Sequence, residues 1–393
     1  MNKKIYISIV LLLSIVNVYA ITVDEILNTI ANNNLSLQAS NEECKSMIYN
    51  IKSYNNLSDP EVGFEYHSGS NIEGNKYGIS VTQNIDWPGL FISRAKANKF
   101  RMSAAEAKLI SDRLNILHEA KQLCMQIINL NRKIENQTLV YNNISQLYEE
   151  YEKGFQYGEI SILDINKLKV ELLNTKRELD QLIAQRNADI EKLYGLNGKT
   201  VIDGVNLLTV YPNQSLESKE TYLGQVVTLD PEVQCIEYNK EATRKDVSSA
   251  KMGWLPNLSV GYRYTNELGS KFNGVAVGVS VPIFSNRNKV NATKSEQLTS
   301  EYNQQSIIAL KESQIKAYFE HIVTLQSQIN SYKKVLDDNN NQLMLKKALD
   351  GGQITLLNYL LELRYFLEAK QTLLDLEYEY NSTLTSLNKY SLL

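Results

Sequence analysis

Residues 77–89, YGISVTQNIDWPG, contain two patterns from which the rest of the fold can be built. Apolar side chains alternate with small or polar ones, the period of two expected of a half-buried β-strand. The apolar positions are Tyr77, Ile79, Val81 and Ile85. The alternation ends at Pro88, and no further proline occurs before Pro212. Because proline breaks helix interiors, the sequence predicts a strand that passes directly into a very long helix.

Composition excludes several classes of protein. The chain has 393 residues, 43% of them hydrophobic, and a net charge of −3. This is too apolar for a disordered chain, and it lacks the excess positive charge of a nucleic-acid-binding protein. A length prior of roughly 150 residues per domain gives two or three units. The 6 prolines and 18 glycines fall between long stretches that lack both, which favours long helices.

Residues 1–20, MNKKIYISIVLLLSIVNVYA, have the layout of a cleavable secretory signal peptide. A basic start precedes an apolar centre, and Val18-Tyr19-Ala20 fits a small-x-small cleavage site. A short membrane anchor is the alternative, but the apolar run is shorter than the roughly 20 residues of a spanning helix. Cleavage would leave Ile21 as the first residue, where a lipoprotein would carry a cysteine. We therefore expect no N-terminal lipid anchor. We expect an exported protein that is either soluble or a β-barrel.

Three cysteines, Cys44, Cys124 and Cys235, make an odd number in an oxidising compartment. They fall in helical patterns, where a free cysteine is commonly buried as a small apolar residue. We therefore expect buried thiols and no essential disulfide.

The chain after the signal reads as two copies of one plan, 21–195 and 218–393, joined by a linker at 196–217. Each copy has a helical preface, two alternating segments, a proline, a long helix, a glycine-containing break and a return helix. The breaks are Gly158-Glu-Ile-Ser-Ile-Leu-Asp164 and Gly352-Gln-Ile-Thr-Leu-Leu-Asn358, 194 residues apart.

Each copy thus predicts one hairpin of strands and one hairpin of helices. In the first copy these are strands within 61–86, a long helix at 90–153 and a return helix at 159–194. In the second they are strands within 257–283, a long helix at 286–350 and a return helix at 354–390. Loops at 68–76 and 266–274 are expected to join the strands.

The alternating segments suit a membrane β-barrel with apolar side chains outside and polar ones inside. The lipid-facing candidates are Tyr77, Ile79, Val81, Ile85, Leu258, Val260, Tyr262, Val277 and Val279. A half-buried sheet in a soluble protein would show the same alternation, so the strands alone leave both possibilities open. If they lie in a membrane, four strands are too few to close a barrel, and the protein must form an oligomer.

Heptad spacing marks the long helices as coiled-coil elements. Apolar residues recur every seven positions in both copies, and each helix carries two such stripes. The clearest stripes are Ile308, Ile315, Ile322, Ile329 and Leu336, and Leu109, Ile116, Leu123 and Leu130 with Ile110, Leu117 and Cys124. A helix over 90–153 would be about 95 Å long at 1.5 Å per residue. We expect antiparallel coiled-coil packing with neighbours on both sides.

Several further motifs occur in order through the chain: Asp59-Pro60, QNIDWPG at 83–89, WLPNLS at 254–259, GVSVPIF at 278–284, and Gly-x-Ile-Ser/Thr at 158 and 352. By these motifs the sequence resembles the TolC-type outer-membrane efflux protein family. The resemblance implies an α+β membrane protein with an internal twofold repeat. It implies a homotrimer with a 12-stranded β-barrel in the outer-membrane lipid, four strands from each protomer, and an α-helical coiled-coil barrel in the periplasm.

The same resemblance implies partners: a periplasmic adaptor (membrane fusion) protein and an inner-membrane efflux pump or secretion transporter. No nucleic acid is expected. The resemblance further implies that the protein is a passive channel for efflux or type I secretion, which exports small toxic compounds, metal ions or proteins. A soluble periplasmic coiled-coil adaptor or scaffold is the alternative, although adaptors carry one helical hairpin and this chain has two.

The two breaks would then be periplasmic tips of the helical barrel. Candidate aperture residues there are Gly158, Ser161, Asp164, Gly352, Thr355, Asn358 and Glu362. Ser161 and Thr355 also suit N-caps of the return helices, and capping would explain these residues without any gating role. The second copy has Asn358 and Leu361 where family members carry acidic residues, which argues against a strongly acidic ring.

Sequence patterns for enzyme chemistry are missing, so we expect no catalytic residue, no metal and no cofactor. Gly195-Leu-Asn-Gly198-Lys199-Thr200 ends like a phosphate-binding loop, but the earlier glycine that the motif needs is replaced by Leu193. His67 and Glu65 fall on the polar face of one strand, where metal contact is conceivable, but solvated side chains are the better explanation.

Overall fold

The computed structural model describes residues 21–68, 74–337 and 341–393. The predicted signal peptide lies outside the described residues. The helices are α1 (Val23–Asn33), α2 (Leu35–Ser53), α3 (Pro88–Gln156), α4 (Ile162–Leu196), α5 (Lys219–Leu229), α6 (Pro231–Met252), α7 (Lys289–Asp337), α8 (Asn341–Asp350) and α9 (Leu356–Leu387). The strands are β1 (Glu61–Ser68), β2 (Asn75–Ile85), β3 (Asn257–Glu267) and β4 (Ser270–Ser280). The predicted class, long helices with a four-stranded sheet, is confirmed.

Each helical preface consists of two helices, where the sequence pattern suggested one. The first is interrupted at Asn34, whose side-chain oxygen accepts a hydrogen bond from the Leu37 backbone N–H at 2.8 Å. The second is interrupted at Asp230, which accepts from the backbone N–H groups of Glu232 and Val233. An N-cap residue has extended backbone geometry, so each cap starts a new helix within an otherwise helical pattern.

The helix that begins at Pro88 runs for 69 residues without interruption. Proline at a helix start is favourable because its missing N–H would have no intrahelical partner there. The buried positions of α3 only partly follow the heptads noted in the sequence. Leu117 and Cys124 are buried, whereas Ile110 is exposed. Much of the buried face is instead small, at Ala97, Ala104, Ala107 and Ala120. Alanine carries little weight in a hydrophobic pattern, which is why the sequence did not reveal this face.

In the second copy, α7 buries Ile315, Ile322 and Ile329, which belong to the heptad stripe seen in the sequence. The predicted helix 286–350 corresponds to α7 and α8, and residues 338–340 between them lie outside the described part of the chain.

Contacts divide the chain into two compact units, and each takes segments from both sequence copies. One unit comprises the chain up to Asn33, Ala120–Asn213 and Gln328–Asn381; the other comprises Asn34–Glu119, Gln214–Ser327 and Ser382–Leu393. The linker between the copies belongs largely to the first unit. Its residues Ile202, Val205 and Leu208 are buried, and the Asn131 side chain donates to the Leu208 carbonyl at 2.7 Å. The linker is therefore a packed segment and not a loose tether.

The second unit contains the sheet, in which all neighbouring strands are antiparallel and the order is β1-β2-β3-β4. Strands β3 and β4 are longer than the alternation indicated, because only Leu268 and Gly269 separate them. Both residues have positive φ, +54° and +86°. This is the geometry of a two-residue type I′ turn, for which Asn-Gly is the usual sequence. Leucine gives no such signal, so the sequence suggested a longer loop at 266–274.

The cysteines differ in burial. Cys44 and Cys124 are buried, whereas Cys235 is only half-buried, contrary to the expectation of three buried thiols. Burial raises the pKa of the Cys124 thiol to about 12, so this thiol is uncharged and unreactive near neutral pH. None of the helices in the described part of the chain combines the length and apolar composition needed to cross a membrane.

Candidate functional site

The register of the sheet places all nine lipid-facing candidates on one face. Val81 pairs with Tyr262, Ile85 with Leu258, and Leu258 with Val279. Because side chains of directly paired residues point to the same side of a sheet, these pairs form continuous apolar rows. Several sequence neighbours that were not among the candidates share this face, namely Val62, Phe64 and Val275. The exposed fraction of these additional side chains is high, at 73% for Val62 and 74% for Val275.

An aromatic and polar row borders this apolar face near the β3–β4 turn. Tyr66, Tyr77, Asn266 and Lys271 follow one another across the four strands. The Asn266 side chain donates to the Tyr77 hydroxyl at 3.2 Å, and the Tyr77 ring lies 6.5 Å from that of Tyr264. Tyrosine at the end of an apolar strand face is typical of a membrane–water interface.

The opposite face of the sheet carries mostly polar side chains and glycines, with Phe272 as an apolar exception. It carries Glu61, Glu65 and His67 on β1, and Lys76 forms an ion pair with Glu267 at 3.3 Å. His67 pairs directly with Lys76 in the register. The neighbour of His67 is therefore a cation, whereas a metal site would need a further ligand there. Among the described residues, no group of histidine, cysteine and acidic side chains could hold a metal ion.

The two breaks between long and return helices are built by the same hydrogen bonds. The N–H of Gly158 donates to the Phe155 carbonyl at 3.0 Å, and that of Glu159 to the Gly154 carbonyl at 2.9 Å. The equivalent bonds, 194 residues later, run from Gly352 to Leu349 at 3.0 Å and from Gln353 to Ala348 at 2.8 Å. Gly158 and Gly352 both have positive φ, +78° and +64°. Glycine adopts this left-handed conformation without the steric cost other residues incur, and so it ends both helices.

The remaining tip candidates lie at the caps and in the first two turns of the return helices. Ser161 accepts a hydrogen bond from the Leu163 N–H at 3.1 Å, and Thr355 accepts from the Asn358 N–H at 3.2 Å. Both hydroxyls therefore act as helix caps. Asp164 is half-buried and pairs with Lys167 at 3.0 Å within α4. Asn358 and Glu362 are exposed on α9.

The structure adds one ion pair near these turns that sequence reasoning missed. Lys346 on α8 contacts Glu150 on α3 at 2.6 Å and Asp350 at 3.1 Å. The hydrogen bond from Lys346 holds the pKa of the Glu150 carboxyl below its usual range. In the sequence, Glu150 belongs to an acidic run with Glu149 and Glu152, which by itself indicates a solvated helix face. Glu150 and Lys346 are 196 positions apart, so the sequence gives no local signal of the pairing.

A hydrophobic cluster holds the four helices of the turn region together. It combines residues of α3, α4, α8 and α9, and Leu168 at its centre is fully buried. The other buried members are Val140, Ile144, Leu147, Leu349, Leu356, Tyr359 and Leu363. Burial of this many large apolar side chains stabilises the helix ends and fixes the turns that they carry.

Comparison with known proteins gives a family match over the second half of the chain. Residues 223–391 match the sequence model of the outer membrane efflux protein family. No curated protein matches the chain significantly in sequence. Together with the folds described next, the family match confirms the resemblance to TolC-type outer-membrane efflux proteins.

The fold is similar to those of several solved channel structures. One is CusC, studied for the changes that accompany folding and transmembrane channel formation (TM-score 0.76, 16% identity, covering 94% of this chain and 91% of that one). Another is the Campylobacter jejuni outer membrane channel CmeC (TM-score 0.73, 16% identity, covering 94% of this chain and 85% of that one). A third is the outer membrane protein VceC of Vibrio cholerae (TM-score 0.76, 13% identity, covering 94% of this chain and 95% of that one). At these identities the likeness concerns the fold.

Proposed function

We propose that this chain, a TolC-type outer-membrane efflux protein by its fold and by the sequence of its second half, forms a passive trimeric channel. In this proposal, the channel receives compounds from a periplasmic adaptor and an inner-membrane efflux pump or secretion transporter. It conducts them across the outer membrane without carrying out chemistry. The observation that carries the proposal is a four-stranded sheet with one predominantly apolar, exposed face and two open edges.

The apolar face supports placement of the strands in lipid. Val275, Val277 and Val279 on β4 are 74%, 71% and 62% exposed. Exposure of so many large apolar side chains on one face is unfavourable in water, at roughly 25 cal/mol for each Å². In lipid the same face is favourable. The polar face would then line a water-filled lumen, as in bacterial outer-membrane barrels.

The open edges support assembly with other copies. In the described sheet, β1 pairs only with β2, and β4 only with β3. Lipid offers no hydrogen-bond partners, so the free backbone groups of both edges need another strand. The β4 edge of one copy and the β1 edge of the next satisfy this need with antiparallel pairing. Three copies of four strands give the 12-stranded barrel expected from the family.

Exposed apolar residues on the return helices support further contacts near the turns. Leu163 and Val170 on α4 are 66% and 58% exposed, and Leu357 and Leu361 on α9 are exposed as well. Neighbouring protomers and the helical hairpin of an adaptor are the partners proposed to cover them.

The test is to express the full chain with its signal and follow its location, assembly and conductance. We expect it in outer-membrane fractions as a detergent-stable trimer that opens ion-conducting pores in planar bilayers. Recovery as a soluble periplasmic monomer would contradict the proposal and favour an adaptor or scaffold.

Two adjacent substitutions on β4 sharpen the test. Val275→Lys places a charge on the apolar face, where it costs about 2–4 kcal/mol at the bilayer midplane. Ala276→Lys places the same charge on the polar face, where Ala276 is exposed and pairs with Gly261. We expect trimer yield in the outer membrane to fall for Val275→Lys and to be nearly retained for Ala276→Lys. Equal yields would argue against lipid contact of the apolar face.

A further inference from the structure

All glycines within the four strands lie on the polar face of the sheet. By register and alternation they are Gly63, Gly78, Gly261, Gly274 and Gly278. At several of them the face is crowded. A Cβ atom at Gly63 would come within 2.7 Å of the Ser80 hydroxyl oxygen, and one at Gly261 within 2.7 Å of the Val81 carbonyl oxygen. Glycine in a strand commonly marks such close approach, and it permits the sheet to curve toward that side.

One long charged side chain stands in the middle of this glycine-rich face. Arg263 lies at the seventh position of the 11-residue strand β3. It pairs with Ser80 on one side and Gly274 on the other, and Gly63 lies beyond Ser80 in the same row. Its neighbours on the same face of β3 are Gly261 and Thr265. Phe272, which pairs with Thr265, also lies on this face, but the other immediate neighbours of Arg263 are small, and Arg263 itself is exposed.

No carboxylate in the described sheet pairs with Arg263. The other basic residue of the polar face, Lys76, has Glu267 as its partner at 3.3 Å. The acidic residues Glu61 and Glu65 are on β1, two strands from Arg263, which is about 10 Å at roughly 4.8 Å per strand. In a closed assembly the β1 of the next copy would again be two strands away, across β4. The charge of Arg263 is thus exposed to the space over the polar face.

We propose that Arg263 determines the charge selectivity of the pore. The inference rests on the proposed function, in which three copies place three Arg263 side chains at one level of the barrel lumen. A ring of like charges in a pore attracts ions of opposite sign and repels those of the same sign. The ring favours anions and anionic groups of passing compounds over cations at this level.

The test measures ion selectivity of trimers in planar bilayers, from the reversal potential in a KCl gradient at low salt. In water, one unit charge about 8 Å away changes the local concentration of a monovalent ion roughly twofold, and low salt limits screening. We expect Arg263→Gln to raise the K⁺/Cl⁻ permeability ratio roughly twofold or more. Arg263→Glu should raise it further, and Arg263→Lys should leave it near that of the wild type.

Lys271→Gln is the matched control. It removes the same charge, but from a position on β4 in the row that borders the apolar face. We expect its permeability ratio to equal that of the wild type. Intact trimers of Arg263→Gln with unchanged selectivity would overturn the proposal, as would an equal shift in Lys271→Gln. If Arg263→Gln does not assemble, Arg263→Glu and Arg263→Lys still give the comparison. Absence of pores in the wild type would instead count against the proposed function.

Discussion

At the residue scale, Asp230 joins three separate segments of the second compact unit. Its carboxylate caps α6, forms an ion pair with Lys311 on α7 at 2.7 Å, and accepts a hydrogen bond from Tyr390 at 2.7 Å. The side chain is only 3% exposed. Burial raises the pKa of Asp230, but the hydrogen bonds from Lys311 and Tyr390 outweigh it, so the pKa lies below its usual range.

Replacing this carboxylate should destabilise the protein. Asp230→Asn leaves Lys311 with Glu232 alone, at 2.8 Å and half exposed. Loss of one partner of a buried ion pair typically costs about 3–5 kcal/mol. We expect a loss near the lower end of this range, because Glu232 partly compensates, measured by denaturant unfolding in detergent. Asp180→Asn is the control: its pair with Lys176 is exposed and should contribute less than about 1 kcal/mol. Equal losses for the two variants would contradict this role.

The stabilisation by Asp230 should also depend on pH. Since its pKa is lower in the folded than in the unfolded protein, the contribution is fully present above the unfolded value of about 3.9. It disappears as the pH falls through the lower, folded pKa. The wild type should therefore lose more stability than Asp230→Asn as the pH falls from about 5 to below that pKa. Parallel curves for the two proteins would contradict the assigned carboxylate contacts.

At the scale of elements, the two helical turns depend on glycine at equivalent positions. Gly158→Ala and Gly352→Ala force alanine into the left-handed conformation, which costs about 1–2 kcal/mol. Neither variant meets a steric contact within 4 Å. We expect each to lower the free energy of unfolding by about that amount. Gly195→Ala is an informative control, because Gly195 lies within α4 and also meets no contact. Alanine favours helix, so this variant should gain up to about 1 kcal/mol.

The same scale shows what the sequence could predict. The strands followed from alternation within ten residues, and the helical turns from a glycine and a capping hydroxyl a few residues apart. The interruptions of the helical prefaces at Asn34 and Asp230 were missed. A polar residue within a helical pattern is tolerated on the solvated face of a helix, so it does not by itself indicate an N-cap. The pair of Glu150 with Lys346 was missed for a different reason. It depends on how helices that are distant in the sequence pack against each other, which a single sequence does not indicate.

At the scale of the whole molecule, the sequence repeats and the compact units are different divisions of the chain. The long helix α3 begins in one unit and ends in the other, and each unit contains segments from both copies. Either copy alone would therefore lack part of the packing in both units. The sheet likewise joins the two copies, because β2 of the first pairs with β3 of the second along ten residues. The described sheet thus combines strands from both predicted repeats, and by the proposed function the barrel also needs further chains.

The aperture that the family resemblance implies can be tested through Asp164. If the turns of three copies close the periplasmic end by charge and hydrogen-bond contacts, loss of this half-buried carboxylate should weaken the closed state. We expect Asp164→Ala to raise single-channel conductance in planar bilayers and to increase leakage of antibiotics across the outer membrane. Asp180→Ala removes a carboxylate from the same helix, which likewise pairs with a lysine nearby, Lys176 at 2.8 Å. It should leave both measurements unchanged. Equal conductance of Asp164→Ala and wild type would leave Asp164 only its local role at the start of α4, beside Lys167 and the Ser161 cap.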